Sequence, residues 1–311
     1  MDLTNPIFTD NDAAREHLEA ILWPDGPHCP HCGEAEKVTK LKGESHRAGL
    51  HVCNSCRGHF TVTVGTVLER SKIPLCKWVL GFHLMAASKK GVSAHQLHRM
   101  LGITYKSAWF MAHRIREAMR PGKDFGPMGG EGKTVEADET FIGGKMANKH
   151  RSKRAPVRLG GSWGKETVFS LVERGGRVRS VHTASVSAKT LRPILVTQVD
   201  RKSKLMTDDA GQYRHMNRDF DHEVVNHSAG EYVRGEAHTN TIEGYFSILK
   251  RGITGVYHHV SPKHLKRYLG EFDFRYNERH VDDTERAAKI VEGIAGKRMI
   301  YRPSYSGQAS A

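Results

Sequence analysis

Three acidic residues in the second half of the chain have the spacing of a shared metal site. Asp138 lies on a predicted strand, Asp208 ends a later predicted strand, and Glu243 lies on the helix after the fifth strand. Carboxylate oxygens are the ligands that Mg²⁺ and Mn²⁺ prefer. Two such ions about 4 Å apart stabilise both the attacking and the leaving oxygen of a phosphoryl displacement. A single acid at a strand end is usually a turn residue, so the prediction depends on all three together.

The stretch from His238 to Arg251 predicts an amphipathic helix with Glu243 and Lys250 on its polar face. Its apolar residues recur at the helical period: Ile242, Tyr245, Phe246, Leu249 and Ile253. Lys250, two turns beyond Glu243, is placed to contact a DNA phosphate near the acids. Asn240 followed by Glu243 is also the pattern of a capping box, in which the carboxylate returns to a backbone N–H. On this helix alone the two interpretations of Glu243 are equally good.

A sheet has to bring these residues together. The predicted strands are 134–143, 167–173, 178–184, 204–207 and 223–226. With the intervening helices, the order strand-strand-strand-helix-strand-helix-strand-helix predicts an α/β fold with a mixed sheet. The pattern of the first strand places Asp138 beside a turn. If the first and fourth strands are neighbours, the three carboxylates meet at one end of the sheet.

Four of the five cysteines form two paired knuckles near the N-terminus. They are Cys29, Cys32, Cys53 and Cys56, in two C-x-x-C motifs. Each pair supplies two thiolates from one tight turn, and two such turns complete a tetrahedral Zn²⁺ site of the ribbon type. A closed four-ligand site has a structural role, because it leaves no position for a catalytic water. The histidines at 28, 31, 46 and 51 are expected to face solvent or phosphate, and Cys76 to be a buried thiol.

Residues 74–120 predict three helices, the last two arranged as a helix-turn-helix. Ser93 caps the second helix, Gly102 breaks the pattern, and Thr104 caps the third. The basic residues of the third helix are Lys106, Arg114 and Arg116, and we expect this helix to bind DNA. An ordinary helical hairpin fits the same caps and turn equally well. The DNA interpretation therefore depends on the overall charge and on the adjacent ribbon.

The bulk composition favours a polyanionic partner. The 311 residues include 48 Lys+Arg and 34 Asp+Glu, for a net charge of +14, which favours nucleic acid first and an anionic membrane second. Residues 145–165, with seven Lys/Arg and no acids, predict a flexible basic loop that either contacts DNA or is a solvated insertion. No apolar run approaches the roughly 18–20 residues of a membrane span. The N-terminus lacks signal-peptide features, so we expect a cytoplasmic protein without a membrane partner.

These motifs resemble those of the DDE transposases of bacterial insertion sequences, in the group whose catalytic domain follows a zinc ribbon. The matching stretches are the two cysteine knuckles, Val135–Gly144, Thr207–Tyr213, His238–Gly252 and Tyr268–Arg279. The resemblance spans about residues 25–282. It implies an RNase H-like catalytic domain, dependence on Mg²⁺ or Mn²⁺, and cut-and-join chemistry at the ends of a mobile element.

When the family's motifs are matched to this sequence residue by residue, the three acids of the family correspond to Asp138, Asp208 and Glu243. The basic residue seven positions after the third acid matches Lys250. Asp209 is an alternative for the second acid, but Asp208 is preferred because it directly follows the strand. Some relatives have Asn in place of the third acid; this chain keeps Glu, which favours an intact catalytic set.

The predicted domain organisation has six parts. They are an N-terminal helix at 1–24, the zinc ribbon at 25–70, a helical DNA-binding region at 71–120, a Gly/Pro linker at 121–133, the RNase H-like domain at 134–282 and a C-terminal tail at 283–311, disordered beyond about 300. The resemblance implies binding to double-stranded DNA, both terminal inverted repeats and target, as a homodimer or larger assembly. It also implies a bacterial cytoplasmic location at the nucleoid.

Two other functions fit parts of the same pattern. One is an RNase H-like nuclease that cuts DNA without joining it. The other is a DNA-binding regulator that has kept the fold and lost the activity. The three retained acids argue against the regulator, and an assay for joined products separates the nuclease from a transposase.

Overall fold

The computed structural model describes residues 2–122, 125–144, 148, 150–153, 164–225 and 238–299. The chain forms two compact units, one made of Met1–Arg120 with Val281–Ala311 and the other of Pro121–His280. Most of the predicted basic loop and the tail from residue 300 onward lie outside the described residues. No helix within the described ranges is long and apolar enough to cross a membrane.

The N-terminal unit begins with helix α1 and a small sheet. Helix α1 (Asn11–Leu22) starts after Asp10, whose carboxylate accepts a hydrogen bond from the Ala13 N–H. The small sheet is antiparallel, in the order β1 (Val38–Lys40), β2 (His51–Cys53) and β3 (His59–Phe60). This hairpin arrangement, with its cysteine knuckles, forms the predicted zinc ribbon.

The ribbon has an aromatic core that takes in one of the histidines expected at the surface. Phe60 packs with Cys29 and Cys53, and Trp23 lies against this cluster. His51 is buried, with its ring stacked on Phe60 at 5.6 Å between centroids. The expectation that His51 faces solvent or phosphate is therefore wrong, because β2 points this side chain inward.

Three helices follow the ribbon, as predicted: α2 (Leu75–Ala87), α3 (Ala94–Leu101) and α4 (Tyr105–Ala118). Ser93 and Thr104 cap α3 and α4 with their hydroxyl oxygens. Gly102 ends α3 in the left-handed conformation, with φ at 59°, which glycine adopts without steric cost. Both predicted caps and the predicted break are confirmed.

The last described helix belongs to the N-terminal unit. The sequence predicted a C-terminal tail from residue 283 onward. In the structure, Asp283–Glu292 form helix α8, which Asp282 caps. Helix α8 packs mainly on α2. Arg286 donates a hydrogen bond to the Ala86 carbonyl at 3.2 Å. The chain therefore returns to its first unit after it has completed the second.

Two arginines of α4 lie in the interior of this unit, contrary to the prediction. Arg114 is 6% and Arg116 2% exposed. The Arg114 guanidinium lies over the Phe110 ring, 4.5 Å from its centroid, which is cation–π distance. Helix α4 is covered by α2, α3 and α8, so most of its circumference is packed. Of the three predicted basic contacts, Lys106 is exposed.

The second unit is built on a five-stranded mixed sheet. Its strands are β4 (Thr134–Ile142), β5 (Glu166–Glu173), β6 (Val178–Thr183), β7 (Lys204–Asp208) and β8 (Asp221–Val225). Their spatial order is β6-β5-β4-β7-β8. Strand β5 is antiparallel to β4 and β6, whereas β4, β7 and β8 are parallel. The unit's first and fourth strands are neighbours, as the metal-site prediction required, and the order is that of the RNase H fold.

Helices cover both faces of this sheet. On one face lies α5 (Ala188–Gln198), whose Leu191 and Leu195 pack against Val135 and Ala137. On the other lie α6 (Asn240–Gly252) and α7 (Pro262–Asn277). The side chains of a strand alternate between faces. The even-numbered residues of β4 therefore point toward α6 and α7.

Candidate active site and metal centre

The four knuckle cysteines form a site of the right size for zinc. One sulfur atom from each lies within 4.8 Å of the others. The sulfurs of Cys29 and Cys56 are 3.6 Å apart, as are those of Cys32 and Cys53. Four Zn–S bonds of about 2.3 Å in a tetrahedron place the sulfurs about 3.8 Å apart. The set of donors therefore fits a structural Zn²⁺, while a disulfide, at about 2.05 Å, is too short for either distance.

The backbone of the second knuckle favours the thiolate form that zinc requires. Hydrogen bonds from the N–H groups of Cys56 and Ser55 lower the pKa of Cys53 to about 7, whereas burial and the neighbouring sulfurs raise the pKa of Cys56 and Cys32 despite their own backbone hydrogen bonds. Metal binding needs the deprotonated sulfur. Cys76 lies outside this cluster and is buried, as predicted.

Asp138 lies within β4, and the prediction that it sits beside a turn is wrong. It pairs with Ser170 of β5, and β4 continues to Ile142. The strand has nearly its predicted length, and Thr140 and Ile142, beyond Asp138, also point into the packed side of the sheet. Asp138 is therefore a central residue of the hydrogen-bonded β4–β5 pair, and this pairing restricts its backbone.

Asp208 is the last residue of β7 and lies level with Asp138. The parallel register pairs Thr134 with Lys204 and Glu136 with Met206. Two residues further on, the same register aligns Asp138 with Asp208. Both side chains point to the α6 face by strand alternation.

Glu243 lies in the first turn of α6 and is exposed. Its carboxylate accepts a hydrogen bond from the Thr239 hydroxyl at 3.3 Å. The predicted apolar stripe of α6 is confirmed, with Ile242, Tyr245, Phe246 and Leu249 buried. The helix begins one residue earlier than a capping box needs, since Asn240 is its first residue and Thr239 its N-cap. The Asn240–Glu243 capping box is therefore not formed.

The charges of the three acids act on one another. Burial is the main cause that raises the pKa of Asp138 to about 7. The negative charges of Asp208 and Glu243 raise it in the same direction. Like charges have this effect when they are close in a poorly solvated place. The fold thus brings together the three carboxylates that were singled out from the sequence.

The alternative acid and the predicted basic residue lie further out. Asp209 is exposed, whereas Asp208 is half-buried at the strand end. Burial raises the pKa of Glu139 and Tyr213, and the negative charge of Asp208 raises both in the same direction. Lys250 is exposed in the last turn of α6. Seven residues make nearly two full helical turns, so Lys250 lies on the same side of the helix as Glu243.

Two further carboxylates of β4 lie near the site and were not predicted from the sequence. Glu136 is fully buried and accepts hydrogen bonds from the Ile242 N–H and the Thr241 hydroxyl, both at 2.9 Å. Glu139 accepts hydrogen bonds from Gln212 at 2.6 Å and Tyr213 at 2.5 Å. For Glu136 the sequence does contain an indication: the acids at positions 136 and 138 alternate with apolar residues on a strand that is otherwise buried. Such acids need partners.

Family comparisons agree with this architecture. The model of the ISXO2-like transposase domain matches residues 129–277. The model of the transposase zinc-ribbon domain matches residues 9–59. The chain therefore carries an ISXO2-like transposase domain behind a transposase zinc-ribbon domain. The matched ranges contain all three acids, Lys250 and the four cysteines of the ribbon.

A relative of this chain comes from a transposable element. The chain is 29% identical over 281 residues to an uncharacterized protein in transposable element ISH50 of Halobacterium salinarum, covering 86% of this chain and 91% of the relative. A solved structure that matches is the cryo-EM structure of the simian T-cell lymphotropic virus intasome with PP2A regulatory subunit B56 gamma. The match covers 74% of this chain and 78% of that chain, at 14% identity and a TM-score of 0.27.

Proposed function

We propose that this chain binds the terminal inverted repeats of its own element and catalyses metal-dependent cleavage and strand transfer of DNA. The observation that supports this most is the meeting of Asp138, Asp208 and Glu243 on one face of an RNase H-like sheet. They come from three elements separated along the chain, and their charges interact. Like charges near a buried carboxylate are unfavourable without a positive partner, so the proximity of the three acids supports a shared role.

The three carboxylates are suited to hold Mg²⁺ or Mn²⁺. Their oxygens are hard donors of the kind these ions select. Burial and, after it, the negative charges of Glu139, Asp208 and Glu243 raise the pKa of Asp138, and a divalent cation would offset those charges. When bound, such ions supply charge stabilisation to the attacking and departing oxygens of the transferred phosphate.

Residues of the second unit also have roles toward DNA in this proposal. Glu243 and Lys250 are both exposed on one side of α6, so a DNA strand that reaches the acids also reaches the lysine. Lys250 contacts a phosphate there as a point charge. Asp138, held within β4, provides the fixed carboxylate against which the other two are arranged.

The N-terminal unit is proposed to recognise the element ends. The ribbon presents short strands on a rigid zinc-held scaffold, and Lys106 lies exposed in the first turn of α4. The net charge of +14 supports contact with phosphates. Joining two ends to a target requires both to be held together, so we propose at least a dimer on DNA.

Strand cleavage and joining on element-end DNA test the proposal. The substrate is a duplex that carries the inverted repeat flanking the coding sequence, with Mn²⁺ or Mg²⁺ supplied. Asp138→Ala, Asp208→Ala and Glu243→Ala should each abolish cleavage and joining, while Glu131→Ala, at an exposed acid of the same unit, keeps both. Wild-type activity in all three acid variants would contradict the proposal.

The same assay separates the two alternatives. A nuclease without joining activity gives nicked DNA and no joined product. A silent regulator binds the repeat specifically and yields neither product with either metal. The intact acid set favours the transposase over the silent regulator, and the joined product distinguishes the transposase from the nuclease.

A further inference from the structure

We infer that Glu136 is a positioning residue that fixes the start of α6, and with it Glu243, relative to the strand that carries Asp138. The inference rests on the proposed function of those two acids. Glu136 itself is fully buried, so it cannot reach DNA or a shared ion. Its effect on the site is through the backbone that it holds.

The contacts of Glu136 cross from the sheet to the helix. One carboxylate oxygen accepts hydrogen bonds from Thr241 Oγ1 at 2.9 Å and Arg174 Nε at 2.7 Å. The other accepts a hydrogen bond from the Ile242 N–H at 2.9 Å. His238 Nδ1 lies 3.3 Å from the first oxygen. Arg174 also donates to the His238 carbonyl at 2.8 Å, so the same arginine holds the approach to the helix.

The Glu136 carboxylate acts as an N-terminal cap of α6. The first N–H groups of a helix have no partner within the helix and attract negative charge. The Thr239 side chain, at the N-cap position, does not cap the backbone but donates to the Glu243 carboxylate. Glu136 supplies the acceptor instead, from a different element. The start of α6 is therefore anchored to β4.

The anchor joins the two elements that carry the acids in question, β4 and α6. Glu136 is two residues before Asp138, about 7 Å along the same face of β4. The residues it holds, Thr241 and Ile242, immediately precede Glu243. A buried carboxylate with several charge-assisted hydrogen bonds has one favourable geometry. Any movement of the helix start relative to the strand breaks these bonds, so the separation of Asp138 and Glu243 is set by this side chain.

Glu136→Gln tests the inference while it keeps the size of the side chain. An amide group has only one oxygen, so either the Ile242 N–H or the Thr241–Arg174 pair faces an NH₂ group and loses its acceptor. The matched control is Glu173→Gln. Glu173 is a buried carboxylate on the adjacent strand that accepts from Lys133 at 2.7 Å and the Gly129 N–H at 3.1 Å.

Two measurements report on position rather than on activity. In metal-free protein, hydrogen exchange at the Ile242 amide should be faster in Glu136→Gln and unchanged in Glu173→Gln. The Mn²⁺ concentration that gives half of the thermal stabilisation should rise about tenfold to a hundredfold in Glu136→Gln, as for other residues that orient metal ligands. The control should keep the wild-type Mn²⁺ dependence even where its melting temperature falls.

A second variant guards against a folding failure. Thr241→Val removes one donor to Glu136 without a change of shape, and should raise the Mn²⁺ requirement in the same direction by a smaller factor. Wild-type exchange and Mn²⁺ dependence in Glu136→Gln would overturn the inference, and so would an equal shift in Glu173→Gln. Asp138→Ala tests the proposed function separately, because Mn²⁺ should no longer stabilise that variant at all.

Discussion

Asp138 and Asp208 lie level with each other on adjacent parallel strands. The register of β4 and β7 aligns them, although the ladder itself ends two residues earlier, at Glu136 and Met206. Neighbouring strands are about 4.8 Å apart. Two carboxylates on the same face at that spacing are close enough to share a cation, and without one they repel each other. The predictions below follow from this relationship and from the contacts around it.

Asp138→Asn should stabilise the metal-free protein in a pH-dependent way. The pKa of Asp138 is about 7 in the folded protein, against 3.8 for an ordinary aspartate. A raised folded pKa contributes stability that is fully present below about pH 4 and is lost as the pH rises through 7. Asparagine does not ionise, so the Asp138→Asn variant does not lose stability in this way.

The measurement is the melting temperature of both proteins from pH 5 to 8, after free divalent ions have been removed on a chelating resin. The melting temperature of the variant should rise relative to that of the wild type as the pH rises to 7, and the difference between the two should then level off. A difference that stays constant over this range would mean that Asp138 is already ionised at pH 5.

Asp208→Asn should weaken Mn²⁺ binding strongly, and Asp209→Asn should not. Asp208 ends β7 at the level of Asp138, while Asp209 is exposed beyond the strand. Calorimetric titration of each variant with Mn²⁺ measures the effect. The two substitutions make the same chemical change at adjacent positions, so each is the control of the other. Loss of binding in Asp209→Asn alone would transfer the second-acid role to that residue.

Lys250→Ala should weaken the binding of DNA without affecting the metal. Removal of one phosphate contact should lower the slope of log affinity against log salt by about 1. Lys263→Ala, an exposed lysine at the start of α7, is the comparison for a general loss of positive charge. Binding is measured by fluorescence anisotropy at several salt concentrations. An equal change in both variants would remove any specific role of Lys250.

Cys53→Ser should release zinc and unfold the ribbon while it leaves the catalytic sheet intact. The four sulfurs form one closed site, and structural zinc contributes directly to the folding of such small elements. Cys76→Ala, a buried thiol outside the cluster, should keep its zinc. Metal analysis by mass spectrometry gives the zinc content of each variant. Zinc retained at wild-type stoichiometry in Cys53→Ser would contradict the four-cysteine assignment.

Tyr213→Phe should destabilise the second unit by about 1–3 kcal/mol, the usual effect of leaving a buried acceptor without its donor. The buried Tyr213 hydroxyl donates to Glu139, whose pKa is already raised by burial. Urea unfolding measures the free energy of unfolding. Tyr268→Phe, a half-buried tyrosine of α7, serves as the comparison. An equal loss in the two variants would show that the Glu139 contact contributes nothing particular.

Much of this architecture follows from local sequence signals. The caps Ser93 and Thr104, the break at Gly102 and the two cysteine knuckles depend on residues close together in the chain, and all are found where predicted. The three acids were recoverable because their order along predicted strands and a helix restricted where they could meet.

The errors concern contacts between distant parts of the chain. Arg114 and Arg116 were predicted to face DNA, but α4 packs against α2, α3 and α8, and α8 lies more than 160 residues further along the chain. Glu136 looked like an ordinary strand residue until α6 supplied its partners. Asp138 was placed beside a turn, but it lies in the middle of its strand, which pairs with β5 on both sides of it. Periodicity reports which side of an element is apolar, but it does not report which element covers that side.

The return of the chain to its first unit has a consequence for synthesis. Helix α2 packs against α8, and α8 is translated after the whole second unit. On the ribosome, domains fold as their residues emerge, so the Pro121–His280 unit is complete while α2 still lacks this neighbour. A chain that stops near residue 282 would carry every residue of the acid site and the ribbon and still leave the α8-facing side of α2 uncovered. We therefore expect early termination to give an aggregating protein, even though the catalytic sheet in it is whole.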